Sequence, residues 1–302
     1  MARWLRAQGQ SPRLCDWLWH PLAVAALNQS PDIAAAAPFV RVVAELFGPR
    51  VEDSAVGLPS VPLDQLYAVP ARQFIEARGG TVLTGSPARV VVDGDGAVRG
   101  VRTDASEITA AAVLSAVPWH AVGRLWDAGT PPALAALVAR ATAMKSSPIV
   151  TVNLWVDGPV LSTRFAGLVG GPMHWVFDKA AIFGRAAGHL SVVASGAEAL
   201  ASMDNARATQ TAVEHLRAAL PEMRGRRLLR SVVVREHRAT FSLAPGEPVR
   251  PAAATDVDRF FLAGDWTDTG LPATIEGAAK SGRVAAALII ERLQGAGRAS
   301  GS

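Results

Sequence analysis

The residues best suited to chemistry lie at 259–283, where a short apolar run is followed by a glycine, a carboxylate and a helical pattern. The apolar run at 260–263 predicts a buried strand. Gly264 leaves room for the backbone to approach a ligand, and the Asp265 carboxylate can accept hydrogen bonds from ligand hydroxyls. Because α/β sheets bind ligands beyond the carboxyl ends of their strands, this segment predicts a ligand-binding loop.

The helix predicted over 274–293 has an inner face made mostly of very small residues. Its inward positions recur at helical spacing and are Ile275, Ala278, Ala279, Gly282, Ala285, Ala286 and Ile289. Such a face lets a flat or bulky group approach the backbone. Free N–H groups at the amino end, which Thr274 can cap, favour an electron-rich ligand. A tight helix-on-sheet contact, with Asp265 as a turn residue, explains the same residues equally well.

Strand and helix patterns alternate along the chain, which indicates an α/β fold. Helices are predicted within the first sixty residues and at 62–78, 119–143, 203–220 and 274–293. Strands are predicted at 81–84, 88–92, 97–102, 111–117, 148–157, 168–177, 189–194, 228–240 and 259–263. No long linker separates these patterns, so we expect domains assembled from discontinuous pieces.

The composition excludes several classes of protein. Half of the 302 residues are apolar and 19% are charged, which supplies a core and excludes global disorder. The single cysteine, Cys15, excludes an internal disulfide framework, fits a reducing compartment and is expected to be buried and inert. No metal site is expected, because the six histidines lack metal-ligand spacing. No apolar run approaches the roughly 20 residues of a membrane span.

The net charge of +4 comes with one tight basic cluster, formed by Arg224, Arg226, Arg227 and Arg230. Aromatic residues do not interleave with it, so nucleic acid is not an expected partner. A solvated loop is the favoured interpretation, and contact with a membrane surface is the second.

The motif Ala-Gly-Asp-Trp-Thr at 263–267, with Gly-Leu-Pro-Ala-Thr-Ile-Glu-Gly-Ala at 270–278, resembles a known signature. It is similar to the C-terminal FAD-binding signature of the flavin amine oxidase and phytoene desaturase superfamily. The form is most like that of the squalene-associated branch, the hydroxysqualene dehydroxylases. Further stretches with this resemblance are 17–28, 62–80 and 235–241, and the likeness extends from about residue 10 to about residue 290.

The resemblance implies FAD as the cofactor, and no catalytic residue is assigned. The implied cofactor-binding residues are Ala88, Gly264, Asp265, Thr274, Ile275, Glu276, Gly277 and Ala278. Residues 264–265 would meet the pyrophosphate and ribityl part, and 274–276 would place the helix end against the flavin ring. Residues 277–278 would allow close approach, and Ala88 would contact adenine through its backbone. The implied substrate pocket is dry and is lined by Trp17, Trp19, Leu22, Trp155 and Trp175.

The implied architecture is an incomplete Rossmann-like FAD-binding domain interleaved with a substrate domain of sheet and helices. The FAD domain is expected at 60–118 with 255–294, the substrate domain at 1–59 with 119–254, and a frayed tail at 295–302. The family opens with a strand, a Gly-x-Gly-x-x-Gly turn and a helix that bind the pyrophosphate. This sequence lacks that turn, and 94–100 resembles it only superficially. The chain is therefore expected to lack the family's N-terminal third.

The implied activity is reductive removal of the hydroxyl of hydroxysqualene to give squalene, in hopanoid and isoprenoid biosynthesis. An isoprenoid lipid substrate implies a cytoplasmic protein in contact with the inner face of the cell membrane. A carotenoid desaturase or an amine oxidase is the alternative, although a single tyrosine, Tyr67, counts against an amine-binding aromatic cage. A further alternative is an inactive or split C-terminal fragment of such an enzyme.

Overall fold

The structure is a computed structural model that describes residues 1–127, 129–185 and 187–299, with side chains up to residue 295. The chain forms two compact units, each made of two stretches. Unit 1 contains Met1–Val82 and Ser146–Pro245, and unit 2 contains Leu83–Lys145 and the chain from Gly246 onward. These are units of compactness, and the assignment of functional domains from the sequence stays a prediction.

The helices and strands run as follows in chain order. The α-helices are α1 Ala2–Ala7, α2 Pro12–Leu14, α3 His20–Leu27, α4 Ala36–Leu46, α5 Val69–Glu76, α6 Ala135–Ala143, α7 Lys179–Phe183, α8 Glu198–Ala201, α9 Asn205–Ala219 and α10 Ile275–Ala299. Turns of π-helix occupy Cys15–Trp19 and Asp64–Ala68, and turns of 3-10 helix occupy Val51–Ser54, Trp119–Arg124, Pro132–Leu134 and Pro221–Gly225. The strands are β1 Ala88–Val92, β2 Val98–Thr103, β3 Glu107–Thr109, β4 Val113–Ser115, β5 Ser146–Val156, β6 Phe165–Gly167, β7 Trp175–Asp178, β8 His189–Ser195, β9 Leu228–Phe241 and β10 Phe260–Leu262. None of the described helices combines the length and apolar character needed to cross a bilayer.

Unit 1 is built on a five-stranded antiparallel sheet in the order β6-β7-β8-β5-β9. Strand β5 shows why the sequence forms it, since Val150, Val152 and Leu154 alternate along it and are completely buried. Helix α9 covers the same face with Ala212 and Leu216. One face of the sheet therefore carries the main core of this unit.

The N-terminal helices of unit 1 are fastened to this sheet through Asn28. Helix α3 ends at Asn28, whose φ of 50° is left-handed, and the side chain is buried. Its Nδ2 donates to the Ser147 carbonyl and to Thr240 Oγ1, both at 3.0 Å. Its Oδ1 accepts the backbone N–H of Gly196 at 2.8 Å. One amide thus joins α3 to β5, to β9 and to the turn after β8.

Unit 2 contains the antiparallel sheet β1-β2-β3 and the parallel pair β4–β10. Helix α10 packs on this pair, with the buried Ala285 in one small cluster with Ala253 and Ala263. The small side chain of Ala285 permits a close contact between helix and strand. The loop that joins β10 to α10 consequently begins at the carboxyl end of the parallel pair.

Several elements differ from the sequence-based predictions. The strand expected at 81–84 is irregular. Of the strand expected at 168–177, only 175–177 are extended, in β7, and 168–174 form the loop between β6 and β7. The helix expected at 119–143 is interrupted, because Pro131 and Pro132 cannot continue a helix and α6 starts after them. Helix α10 continues to Ala299, so only 300–302 of the predicted frayed tail lie outside the described residues.

Candidate functional site

The candidate site begins where β10 leaves the sheet. Strand β10 pairs in parallel with β4 in the register Phe260↔Val113 to Leu262↔Ser115. The pairing extends one residue further, since the Ala263 N–H donates to the Ser115 carbonyl at 2.8 Å. All three residues of β10 are buried, as the continuous apolar run predicted. The backbone therefore emerges from a fixed position at Gly264.

Gly264 has the conformation that only glycine adopts with ease. Its φ is 127°, and a Cβ there would lie 2.8 Å from the ring of Trp266. The Trp266 ring is completely buried, and its Nε1 donates to the Val117 carbonyl at 2.9 Å. The Thr267 hydroxyl donates back to the Gly264 carbonyl at 2.9 Å. The turn is thus held by hydrogen bonds, and the buried Trp266 ring fixes it to Val117.

Ser281 fixes the same turn to α10. Its hydroxyl accepts the backbone N–H of Gly264 at 2.7 Å and donates to the Ala278 carbonyl at 2.6 Å. The side chain is 1% exposed, so water does not compete for either bond. One buried hydroxyl therefore links the end of β10 to the second turn of α10.

The amino end of α10 is capped and closely packed. The Thr274 Oγ1 accepts the Gly277 N–H at 3.0 Å, as expected of a residue that caps a helix. A Cβ at Gly277 would lie 3.0 Å from the Pro272 carbonyl oxygen and 3.3 Å from Thr274 Oγ1. Ile275 is 59% exposed and Glu276 is also exposed. The first turn of α10 thus exposes Ile275 and Glu276, whereas Gly277 is tightly packed against the preceding loop.

Two cations that the sequence did not single out hold the loop between Gly264 and α10. The Lys280 Nζ donates to the Thr269 carbonyl at 2.9 Å, and Arg250 Nη1 donates to the Leu271 carbonyl at 2.7 Å. Arg250 Nη2 also lies 3.8 Å from the Asp268 carboxylate. Residues 265–274 are therefore held in shape by side chains from both flanks of the loop.

The Asp265 carboxyl is half-buried beside this loop. Burial is the largest influence and raises the pKa of Asp265 above its usual range. The N–H groups of Trp266 and of Asp265 itself, with the charge of Arg250, act in the opposite direction on that pKa. Hydrogen bonds from ligand hydroxyls would stabilise the ionised form further. The group is thus suited to accept from a polyhydroxylated chain.

Seven of the eight predicted site residues lie on this single strand–loop–helix segment. The eighth, Ala88, lies at the start of β1 opposite Thr103, in the three-stranded sheet of the same unit. Ala88 is exposed, so its backbone is accessible. The geometry gathers residues 264–278 into one site and leaves the role of Ala88 as a prediction.

These residues fit a large ligand with a flat ring and a hydroxylated chain. A Cβ at Gly282 would meet nothing within 4 Å, so the small face of α10 is open there. The Ser115 Oγ, at the carboxyl end of β4, is buried and has no hydrogen-bond partner among the described residues. FAD has the ring, the ribityl hydroxyls and the phosphates that such a site could take. In the described part of the chain, no three His, Cys, Asp or Glu side chains are placed to hold a metal ion.

The tryptophans expected to line a substrate pocket have different surroundings within unit 1. Trp17 is 69% exposed, whereas Trp19 packs edge-on against Phe39 in the helical core. Trp155 stacks on His189 with a ring-centroid distance of 4.3 Å. Trp19 is therefore part of a helical core, and the pocket itself stays a prediction. Cys15 is buried, as predicted.

Comparison with known proteins identifies the class. The family model for flavin containing amine oxidoreductases matches residues 49–290. The hydroxysqualene dehydroxylase of Rhodopseudomonas palustris is 31% identical over 92% of this chain and 63% of its own length. The 15-cis-phytoene desaturase of Solanum lycopersicum is 23% identical over 95% of this chain and 51% of its own. The solved oxidoreductase of Methanosarcina mazei has a TM-score of 0.67, with 16% identity over 97% of this chain and 67% of its own.

The chain belongs to the flavin containing amine oxidoreductase family. This confirms the family resemblance and the fold class predicted from the sequence. Membership of a flavin-containing oxidoreductase family also agrees with the predicted FAD cofactor and oxidoreductase class. The chain spans less than two thirds of the curated relative from Rhodopseudomonas palustris.

Proposed function

We propose that this chain is part of an FAD-dependent oxidoreductase that reductively removes the hydroxyl of hydroxysqualene. The observation that carries the proposal is the 31% identity with a hydroxysqualene dehydroxylase over 92% of the chain. The signature at 263–278 supports it, because its loop offers the Asp265 carboxylate and the amino end of α10 to a ligand. The product would be squalene, and the isoprenoid substrate would be apolar along nearly all of its length.

In this proposal the β10–α10 segment binds and orients the cofactor. Asp265 accepts hydrogen bonds from the ribityl hydroxyls, and Gly264 lets the backbone come close to the phosphate side. The N–H groups and dipole at the amino end of α10 stabilise negative charge on the ring. The bound flavin would supply hydride transfer to the carbon that loses the hydroxyl. Ala88 would contact the adenine through its backbone, and residues 60–118 with 255–294 would form the FAD domain.

The test compares substitutions at two aspartates in a dehydroxylation assay. The chain is supplied with FAD, a chemical reductant and hydroxysqualene in detergent, and squalene is measured by mass spectrometry. Asp265→Asn should lower both flavin occupancy and turnover. Asp256→Asn, at an exposed carboxylate in the same unit, is the control and should change neither. Bound flavin without any squalene would contradict the proposed reaction and favour an inactive or split fragment.

A carotene-type desaturation is the second candidate, since the tomato phytoene desaturase aligns with 95% of this chain. The same preparation is assayed with phytoene and an electron acceptor in place of the reductant. New conjugated double bonds would appear as visible absorbance. Turnover of phytoene with none of hydroxysqualene would replace the first candidate by the second, and turnover of an amine alone would replace both.

An insoluble substrate also implies a site of contact with the inner face of the cell membrane, in a cytoplasmic protein. The first helices of unit 1 expose Leu14, Trp17 and Leu18 at 40%, 69% and 42%. Arg13 is exposed beside them. Aromatic and aliphatic side chains next to a cation favour an anionic bilayer surface. We propose this face for membrane contact.

Flotation with anionic liposomes at low salt tests this contact. Trp17→Ser should shift protein from the floating to the soluble fraction. Val249→Ser removes an apolar side chain that is 80% exposed in unit 2 and is the control. Equal flotation of both variants and of the unchanged chain would contradict the assignment.

A further inference from the structure

Unit 1 contains an apolar cavity of about 390 Å³ on the face of the sheet opposite to the main core. Its floor is made by residues of β7 and β8, which alternate with the core residues Leu190 and Val192. Its walls come from α7 and from the segment at 58–63. The apolar lining includes Leu58, Val61, Phe177, Ile182, Phe183 and Val193. The volume lies within the range of about 300–1,000 Å³ that small-molecule sites occupy.

Among the described residues that line this cavity, Lys179 alone has a charged side chain. Its Nζ lies 4.5 Å from the centre of the Phe183 ring. Among the described residues, its ammonium has neither an ion pair nor a hydrogen bond. The neighbouring carboxylate, Asp178, is 5% exposed and its Oδ1 accepts the Ala181 N–H at 2.9 Å as the cap of α7. The positive charge of Lys179 therefore borders apolar surface, and the Phe183 ring is the described group that stabilises it.

A second cation adds to this positive charge. The Arg185 guanidinium lies 5.9 Å from the same Phe183 ring. Burial, the larger cause, and the charge of Arg185 both lower the pKa of Lys179. Such a lowering means that the surroundings favour the neutral amine, and a bound anion would reverse it. Partly desolvated charge without a partner is costly, and a negative group placed there recovers that cost.

We propose that this cavity binds an anionic amphiphile, with its apolar chain against α7 and the sheet and its carboxylate or phosphate head on Lys179. The cavity walls disfavour a small hydrophilic anion, because Lys179 and Ser191 are the only described lining residues with a polar side chain. The uncompensated ammonium disfavours a wholly apolar ligand. A negatively charged ligand goes beyond the proposed function, whose substrate is uncharged.

Calorimetry below the critical micelle concentration tests the head-group requirement. The probes are decyl phosphate, decanoate, decanol and inorganic phosphate. Both amphiphilic anions should bind, decanol should bind at least about tenfold more weakly, and inorganic phosphate should not bind measurably. Stronger binding of one amphiphilic anion identifies the preferred head group. Equal affinity for decanol would overturn the charge requirement, and equal affinity for inorganic phosphate would overturn the apolar one.

Substitutions locate the site. Lys179→Met should weaken decyl phosphate binding about tenfold, and Lys179→Arg should restore most of it. Lys145→Met, at an exposed lysine in unit 2, is the matched control and should leave binding unchanged. Thermal unfolding of each variant shows whether it is folded. A folded Lys179→Met protein with unchanged affinity would contradict the proposal.

Chemical labelling gives a readout that does not depend on a variant. The chain has three lysines, Lys145, Lys179 and Lys280, so a limiting acylating reagent can be followed at each by peptide mass spectrometry. Decyl phosphate should protect Lys179 and leave Lys145 unchanged. Protection of neither lysine, or of both equally, would overturn the assignment of the head group to Lys179.

Discussion

The Ser281 hydroxyl accepts the Gly264 backbone N–H at 2.7 Å, across 17 residues of sequence. This bond joins the end of β10 to the second turn of α10 at the place where the cofactor is expected. Because Ser281 also donates to the Ala278 carbonyl, the direction of its O–H bond is fixed. The strand end and the helix therefore move together.

Ser281→Ala tests the stabilising role of this bond. The substitution leaves the buried Gly264 N–H without an acceptor, which costs about 1–3 kcal/mol. We expect the free energy of unfolding to fall by that amount, measured by urea denaturation. Ser202→Ala is the control, because Ser202 is exposed and bonds only within its own turn. Equal stability of the two variants would show that water replaces the lost acceptor.

Gly264→Ala should strain the turn. A φ of 127° is costly for alanine, and the new Cβ would press on the buried Trp266 ring. The expected loss of stability is about 1–3 kcal/mol, with lower FAD occupancy. Gly282→Ala adds the same methyl group to α10 where space is open, and it should stabilise the helix by up to about 1 kcal/mol. A higher melting temperature for Gly264→Ala together with a lower one for Gly282→Ala would contradict this prediction.

FAD retention is predicted to be weak for the 302-residue chain by itself. The described site supplies Asp265 and the end of α10, and the sequence contains no Gly-x-Gly-x-x-Gly turn for the pyrophosphate. Each missing charge-assisted hydrogen bond is worth about 1.5–3 kcal/mol. The measurement is flavin absorbance per mole of purified protein, followed by FAD titration. A yellow, stoichiometric protein would contradict this prediction.

Stability is predicted to depend on pH through His174. Its Nδ1 accepts the Ser195 N–H at 3.0 Å, and burial, with a smaller effect of His215, lowers its pKa. In the unfolded chain His174 has the ordinary histidine pKa of about 6.5. Below that pH, His174 therefore binds more protons in the unfolded chain than in the native state. The stability that His174 contributes is therefore present above about pH 6.5 and is lost as the pH falls towards the native pKa.

His174→Asn keeps an acceptor and does not titrate. Urea unfolding of this variant should show a smaller loss of stability between pH 7.5 and 5.5 than the unchanged chain shows. The slope should not vanish, because burial lowers the pKa of His215 as well. An unchanged slope would remove His174 from this role.

The site segment could be predicted from the sequence because its signals are local. A continuous apolar run, a glycine and a capping threonine specify β10, the turn and the start of α10 within 16 residues, 260–275. The positions of Thr274 and Gly277 follow from helix capping. Local chemistry therefore sufficed for the part of the site that is contiguous.

The groups that hold the site were not predictable in the same way. Arg250 reaches the Leu271 carbonyl from 21 residues away, and no pattern in the sequence pairs them. Trp266 lies in the predicted motif and yet is a buried anchor whose N–H meets Val117, 149 residues away. Lys179 carries no motif, since its cavity exists only after the sheet has formed. Such contacts depend on tertiary packing.

The Asn28 amide has a consequence for the order of folding. Its partners are 119, 168 and 212 residues further along the chain. Loops of that length are slow to close, because the chain loses conformational entropy before the stabilising contact forms. During synthesis all three bonds of Asn28 can form only after Thr240 has left the ribosome. Over that interval the apolar cluster that α3 and α4 form with each other is not yet fastened to the sheet, which leaves it open to capture by a chaperone.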